Sequence, residues 1–171
     1  MKHSQALPAT SVVLRVLIVL NWAFGALILA MLAASLGAPG WIWRALHVGA
    51  AAGDPRVAGA MRALMVLGIA GVPFGHVVFT RLLKIVESVR AGEPFTVDNA
   101  GRLRTIAWAL LGLQVLHGVG GAIVSRLAAR GVPLRGGHFQ VGGWLAILLL
   151  FVLAQVFLEG TRMREDLEGT V

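Results

Sequence analysis

Two histidines, His76 and His117, lie inside long apolar segments and are the first candidates for chemistry. A pair of intramembrane imidazoles can ligate haem iron or a transition metal if both reach one ion at about 2.1 Å. His76 is five residues from Arg81, and His117 is thirteen from Arg104. At about 1.5 Å of rise per residue, their depths in the membrane differ by roughly 12 Å. The spacing favours separate hydrogen-bonded histidines over a shared haem or metal site.

The remaining residues predict neither a catalytic centre nor a cofactor. The chain has no cysteine, which excludes thiolate nucleophiles, thiolate metal sites and Cys-ligated iron-sulfur clusters. It contains no Walker loop, dinucleotide fingerprint, HExxH or GxSxG motif. Seven of the eight carboxylates fall in two polar stretches, 81–104 and 159–171, where solvated surface is the default. We therefore expect a protein that is not an enzyme and carries no cofactor.

Four apolar segments must position these residues. The chain is 57% hydrophobic and only 13% charged, and a bilayer core of about 30 Å needs about 20 apolar helical residues. The sequence predicts transmembrane spans at about 12–36, 60–80, 105–124 and 141–158, a cytoplasmic loop at 81–104 and a cytoplasmic tail at 159–171. The expected fold is an all-α, integral-membrane bundle of four transmembrane helices that forms a single domain over residues 1–171.

Basic residues set the expected orientation. Nine lie on the side of the two termini, and six lie on the other side. The nine are Lys2, Arg15, Arg81, Lys84, Arg90, Arg102, Arg104, Arg162 and Arg164, and the six are Arg44, Arg56, Arg62, Arg126, Arg130 and Arg135. The positive-inside rule places both termini in the cytoplasm. Because these charges flank the spans, lipid headgroups rather than nucleic acid are the expected partners of the net charge of +7.

Four polar residues form a predicted intramembrane polar layer: Asn21, His76, Gln114 and Gln155. Counting the helical rise places Asn21 and Gln114 near mid-membrane, and Gln155 near the level of His76. Such side chains commonly hydrogen-bond between helices for about 0.6–2 kcal/mol each. The alternative is a polar path through a small transporter or channel subunit. No charged residue occupies the middle of a span, which disfavours proton-coupled transport.

Small residues in the second span indicate close helix packing. Gly71-x-x-x-Gly75 lets a neighbouring helix approach, and Pro73 between them removes a backbone donor. Packing within one chain is the simplest interpretation, and a hinge or the seam of a homo-oligomer are alternatives. Past Arg81, apolar residues continue at helical spacing until Gly92-Glu93-Pro94 ends the helix, and Thr96 or Asp98 can cap the next one.

Two motifs carry a family resemblance. Gly92-Glu93-Pro94-Phe95, followed by Asn99 and Leu103-Arg104-Thr105-Ile106, resembles the hallmark of a bacterial membrane family, domain of unknown function 2975. The ending from Arg164 to Val171 resembles that family's C-terminus. The resemblance implies a small four-span protein of the bacterial inner membrane, often encoded beside a helix-turn-helix regulator. It implies no established activity and supplies no catalytic residues.

Both motifs are expected to face the cytoplasm, where a soluble partner would bind. The expected partner surface consists of Gly92, Pro94, Phe95, Asn99, Arg102, Arg104, Glu165 and Asp166. In a simpler account, the glycine and proline only shape a turn, and the charged residues only keep their segments on the cytoplasmic side of the membrane. The leading hypothesis is a regulatory protein that contacts a cytoplasmic partner such as a helix-turn-helix regulator. The alternatives are a transporter or channel subunit and, third, a haem-binding redox subunit.

Overall fold

A computed structural model describes residues 6–37, 54–129 and 141–168, and describes the backbone alone at 6–8 and 164–168. These residues form four helices, α1 (Ala6–Gly37), α2 (Pro55–Arg90), α3 (Val97–Ala128) and α4 (Val141–Glu168). Each contains a stretch long and apolar enough to cross a membrane: Ala9–Gly37, Pro55–Arg90, Val97–Ala128 and Val141–Met163. The predicted fold class is confirmed. Residues 169–171 of the predicted tail lie outside the described residues.

The four helices pack in chain order. α2 contacts α1 and α3, and α3 contacts α4, whereas no other helix pair makes contact in the described part of the chain. The helices therefore form an open row. In the apolar 18-residue stretch of each helix, only 6–17% of the residues are buried inside the protein, so the bilayer must solvate the rest.

Glycines set the distance between α1 and α2. A Cβ atom added at Gly75 would lie 2.5 Å from Asn21 Oδ1, and one at Gly25 would lie 2.8 Å from Val72 Cγ2. Gly71 instead faces Leu113 of α3 at 3.5 Å. The predicted Gly71-x-x-x-Gly75 motif thus serves two different intramolecular contacts. This is the helix-packing interpretation of the motif, with close approach by van der Waals contact.

An arginine of α2 closes the end of α1. The guanidinium of Arg62 donates through Nη2 to the carbonyl oxygen of Ser35 at 2.7 Å, and through Nε to its hydroxyl at 3.2 Å. Ser35 is fully buried. The last carbonyls of a helix lack hydrogen-bond partners within the helix. A cation at this end also interacts favourably with the partial negative charge of the helix dipole. At the same end of the row, a buried cluster around Val57 and Leu127 joins α2 to α3.

Candidate functional site

The turn between α2 and α3 begins at a glycine in a left-handed conformation. Gly92 has φ +86°, a value that residues with a Cβ atom rarely adopt. Its amide donates to the Val89 carbonyl, and the Glu93 amide donates to the Ser88 carbonyl, both at 3.1 Å. This pair of bonds is a Schellman motif, which satisfies carbonyls at the end of α2. Glycine at position 92 is therefore required by the backbone.

Asn99 is the centre of the corner between α2 and α3. Its side chain is completely buried. Its Nδ2 donates to Ser88 Oγ and to the Pro94 carbonyl, both at 2.9 Å, and its Oδ1 accepts from Arg102 Nη1 at 2.7 Å. The backbone amide of Asn99 donates to Thr96, the N-cap of α3, which settles the choice between the two predicted caps. A single side chain thus connects the end of α2, the turn and the start of α3.

Arg102 extends this network back to α2. Its Nη1 also donates to the Lys84 carbonyl at 3.3 Å, and its Nη2 lies 3.6 Å from Asp98 Oδ2. Ser88 closes the network from the other side by donating its hydroxyl to the Glu93 carbonyl. Hydrogen bonds to a charged donor are generally stronger than neutral ones. The corner is therefore held by connected polar contacts.

Phe95 joins the same turn to α4. Its ring centroid lies 5.1 Å from that of Phe157, and its Cδ1 lies 3.5 Å from the position of a Cβ atom added at Gly160. About half of Phe95 stays exposed. The residues of the first family motif consequently fasten α2, α3 and α4 at one end of the row. We call residues 84–102, together with this contact on α4, the braced corner.

The predicted partner surface needs a correction at Asn99. Because its side chain is fully buried and hydrogen-bonded, Asn99 cannot contact a partner directly. Gly92 and Arg104 are exposed, Pro94 is partly buried and Arg102 contributes mainly to the brace. Glu165 and Asp166 lie in α4, and their side chains are outside the described residues.

A charged cleft of about 400 Å³ opens on the braced corner. Its lining combines both signs of charge and consists of Lys84, Glu87, Ser88, Glu93, Thr96, Asp98 and Arg102. Arg15 of α1 lies 3.6 Å from Glu87, so α1 reaches the edge of this region. Sequence reasoning did not select Lys84, Glu87 and Ser88 as site residues. Their only signal in the sequence is that Glu87 and Ser88 follow Lys84 by three and four residues, on the part of α2 after Arg81. Such spacing is common on any solvated helix.

Two of the four predicted intramembrane polar residues share one helix interface, and the other two lie elsewhere. Asn21 donates through Nδ2 to the Val72 carbonyl at 3.0 Å, in the α1–α2 interface. His76 accepts at Nδ1 from the indole of Trp22 at 3.2 Å. Gln114 packs against Gly143 between α3 and α4, and Gln155 is exposed on α4. Asn21 and His76 thus share the α1–α2 interface, whereas Gln114 and Gln155 lie apart from it.

His117 lies apart from His76. It lines a groove between α1 and α3, whereas His76 lies beside Trp22. In the described ranges, no group of three or more metal-ligating side chains is placed to hold an ion. The two histidines thus contact different residues.

A comparison with protein families identifies the chain. The model of a family of proteins of unknown function, DUF2975, matches residues 45–171, which is more than half of the sequence. The protein belongs to this family. With four candidate spans, it is a multi-pass membrane protein of the DUF2975 family, as the two motifs predicted. The matched region includes the whole braced corner. No curated protein and no solved structure matches the chain.

Proposed function

We propose that this DUF2975 protein is a non-enzymatic regulatory protein of the bacterial inner membrane, with both termini in the cytoplasm. Its braced corner binds a soluble protein partner, for which a helix-turn-helix regulator is the leading candidate. The observation that carries the proposal is the complete burial of Asn99 beneath a charged, solvent-facing cleft. The buried hydrogen bonds of Asn99 position the residues that line the cleft, and the partner binds those residues.

Rigidity of the corner supports a binding role. Ordering side chains and loops on association opposes binding, and a preformed surface reduces that loss. The Asn99 network fixes the backbone on both sides of the cleft before any partner arrives. The simpler alternative is that the charges only hold this segment on its side of the membrane, and exchanging them distinguishes the two roles.

The charges of the cleft indicate the chemistry of the partner. Lys84 and Glu93 are exposed and form no ion pair within the described residues. Complementary charges across an interface steer association and reject wrong partners more than they raise affinity. A partner surface that carries both an acidic and a basic group fits this lining best.

Charge exchange tests the proposal without disturbing the brace. We expect the double variant Lys84→Glu with Glu93→Lys to insert normally and to lose the partner that wild type recovers from native membranes. Mass spectrometry of the co-purified proteins measures the loss. Arg126→Glu, an exposed charge change at the other end of α3, is the matched control. Equal recovery of the same partner by wild type and double variant would contradict the proposal.

The cytoplasmic position of the corner is open to a separate test. Alkaline phosphatase is active only after export, so a fusion after Val171 should be inactive. Gly53 lies in the loop between the predicted first and second spans, on the side of the membrane opposite the termini. A phosphatase inserted near Gly53 should therefore be active. The reverse pattern would place the braced corner outside the cell and remove the cytoplasmic partner from the proposal.

The transporter or channel alternative receives less support. It requires polar residues that line one continuous path. Asn21 and Gln114 lie in different helix interfaces, and Gln155 is exposed on α4. This separation favours an interaction role.

A further inference from the structure

A groove of about 470 Å³ lies between α1 and α3, with α2 as its floor. α1 and α3 do not contact each other, so the groove opens along the side of the helix row. Asn21 and Phe24 of α1 line one wall, and His117 and Gly120 of α3 line the other. Gly68 and Gly71 of α2 belong to the floor. All of these residues lie in membrane-spanning stretches, so the groove faces the bilayer. Its volume falls in the range of roughly 300–1,000 Å³ typical of small-molecule sites.

His117 supplies the polar group of this groove. Within the described part of the chain its imidazole has no hydrogen-bond partner, although it lines the groove and is exposed there. Arg126, nine residues further along α3, marks the membrane interface. His117 therefore lies about 13 Å deeper, in the hydrocarbon region, at a rise of about 1.5 Å per residue. An imidazole without a partner at that depth is unfavourable, because no water replaces the missing hydrogen bond.

The depth of His117 restricts the class of ligand. Ordinary phospholipids keep their polar atoms at the interface, so their acyl chains offer nothing to an imidazole about 13 Å below it. A fitting ligand carries a hydrogen-bond acceptor on an apolar body that enters the hydrocarbon. Phe24 adds an aromatic wall, whereas Ile28 and Leu113 cover the faces of Gly68 and Gly71. A planar ring can stack on the Phe24 ring, which a branched chain cannot do.

We propose that this groove binds a quinone-type lipid, a planar ring with carbonyl oxygens attached to an apolar tail. His117 donates an N–H group to one ring carbonyl, and the ring packs against the side chain of Phe24. The site shares no residue with the braced corner. It is therefore a binding site additional to the proposed partner surface, and either one can fail without the other.

The test uses the full chain in nanodiscs of phosphatidylethanolamine and phosphatidylglycerol. An azido-substituted benzoquinone with an isoprenoid tail serves as the photoreactive probe, and decylubiquinone serves as the competitor. We expect saturable labelling that decylubiquinone removes and palmitate does not. Mass spectrometry should locate the label within residues 64–72 or 113–124. Labelling that does not saturate, or that palmitate removes equally well, would overturn the proposal.

Matched glycine variants test the location. A Cβ atom at Gly120 would lie 3.7 Å from Leu64 Cδ2, an ordinary contact, so the rest of a leucine side chain would fill the groove. A Cβ atom at Gly118, two residues away, meets nothing within 4 Å and does not line the groove. Gly120→Leu should reduce labelling more than tenfold, whereas Gly118→Leu should leave it unchanged. Equal labelling of the two variants would overturn the proposal.

His117→Leu tests the hydrogen bond at nearly constant shape. Loss of one such bond should weaken decylubiquinone competition about fivefold, with circular dichroism confirming the helical fold. Unchanged competition would overturn the role of His117. A second copy of the chain is the other occupant to consider. Cross-linking between copies at residues 113–124 that excludes the probe would overturn the proposal in favour of helix docking.

Discussion

The braced corner and the α1–α2 interface are held by different forces. At the corner, the buried amide of Asn99 connects α2, the turn and α3 through hydrogen bonds. In the α1–α2 interface, Gly25 and Gly75 make room for the side chains of Val72 and Asn21 on the other helix. Lipid tails are as apolar as leucine, so helices in a membrane gain little from burying apolar surface and depend on close packing. Where the chain leaves the bilayer, directional polar contacts define the shape.

Asn21 refines this contrast. It is polar, yet its amide oxygen lies where a Cβ atom at position 75 would need to be. Its Nδ2 bonds to the Val72 carbonyl only because glycine lets the helices approach. A hydrogen bond inside the membrane thus depends on the packing around it, whereas at the corner the packing depends on the hydrogen bonds.

The largest expected effect comes from adding bulk to the α1–α2 interface. Gly75→Leu places a side chain where Asn21 already lies, so the helices must separate and the Asn21–Val72 bond must break. We expect a loss of about 1–3 kcal/mol in the free energy of unfolding, the usual range for overpacking. SDS titration in mixed micelles measures it. Gly118→Leu, a change into open space, is the control, and an equal loss in both variants would argue against glycine-controlled packing.

A smaller effect is expected where the turn needs a left-handed residue. Gly92→Ala introduces a Cβ atom at φ +86° and should lower the free energy of unfolding by about 1 kcal/mol. Gly101→Ala is the control, since Gly101 lies in α3 and meets nothing within 4 Å. This second change should stabilise the helix by about 0.5–1 kcal/mol. Opposite signs for the two alanines are the expected result, and the same sign would refute the assignment at Gly92.

The smallest effect is expected on the lipid-facing side of α4. Gln155 is exposed, so Gln155→Ala should change the free energy of unfolding by no more than about 0.5 kcal/mol. The same titration in mixed micelles measures it, with Asn21→Ala as the comparison. Asn21→Ala should cost about 0.6–2 kcal/mol, because its bond to α2 is lost. A larger loss at Gln155 than at Asn21 would contradict the assignment of Gln155 to an exposed face.

Sequence reasoning predicted the helices well, because length and hydropathy alone determine whether a segment can span a bilayer. It also predicted the turn at Gly92, since glycine and proline after a helical pattern have few other uses. It did not predict the order of packing. Asn21 and Gln114 share a depth in the count, yet one faces α2 and the other α4. The depth of a residue in the membrane follows from its position along a helix. The helix that it faces depends on how its own helix is rotated about its axis. A span with apolar side chains on all sides gives no sequence signal for that rotation.

The burial of Asn99 could not be predicted from the sequence, for a related reason. Its position three residues after Thr96 predicts a helix start, and a polar residue at a helix start is normally solvated. Burial results from Ser88 and Pro94, which come from the helix before and from the turn. The family motif therefore combines residues that make the brace with residues that face outward. Only the folded corner separates the two groups.

Hydrogen exchange at the braced corner tests the central claim most directly. The account holds that the Asn99 side chain fixes the turn on which the charged cleft is built. Asn99→Leu removes its bonds to Ser88, Pro94 and Arg102, so the amides of Gly92 and Glu93 should exchange at least tenfold faster, a local loss of about 1.4 kcal/mol or more. Arg104→Leu, exposed on the same helix, should leave them unchanged. Unaltered exchange of Gly92 and Glu93 in Asn99→Leu would contradict the account.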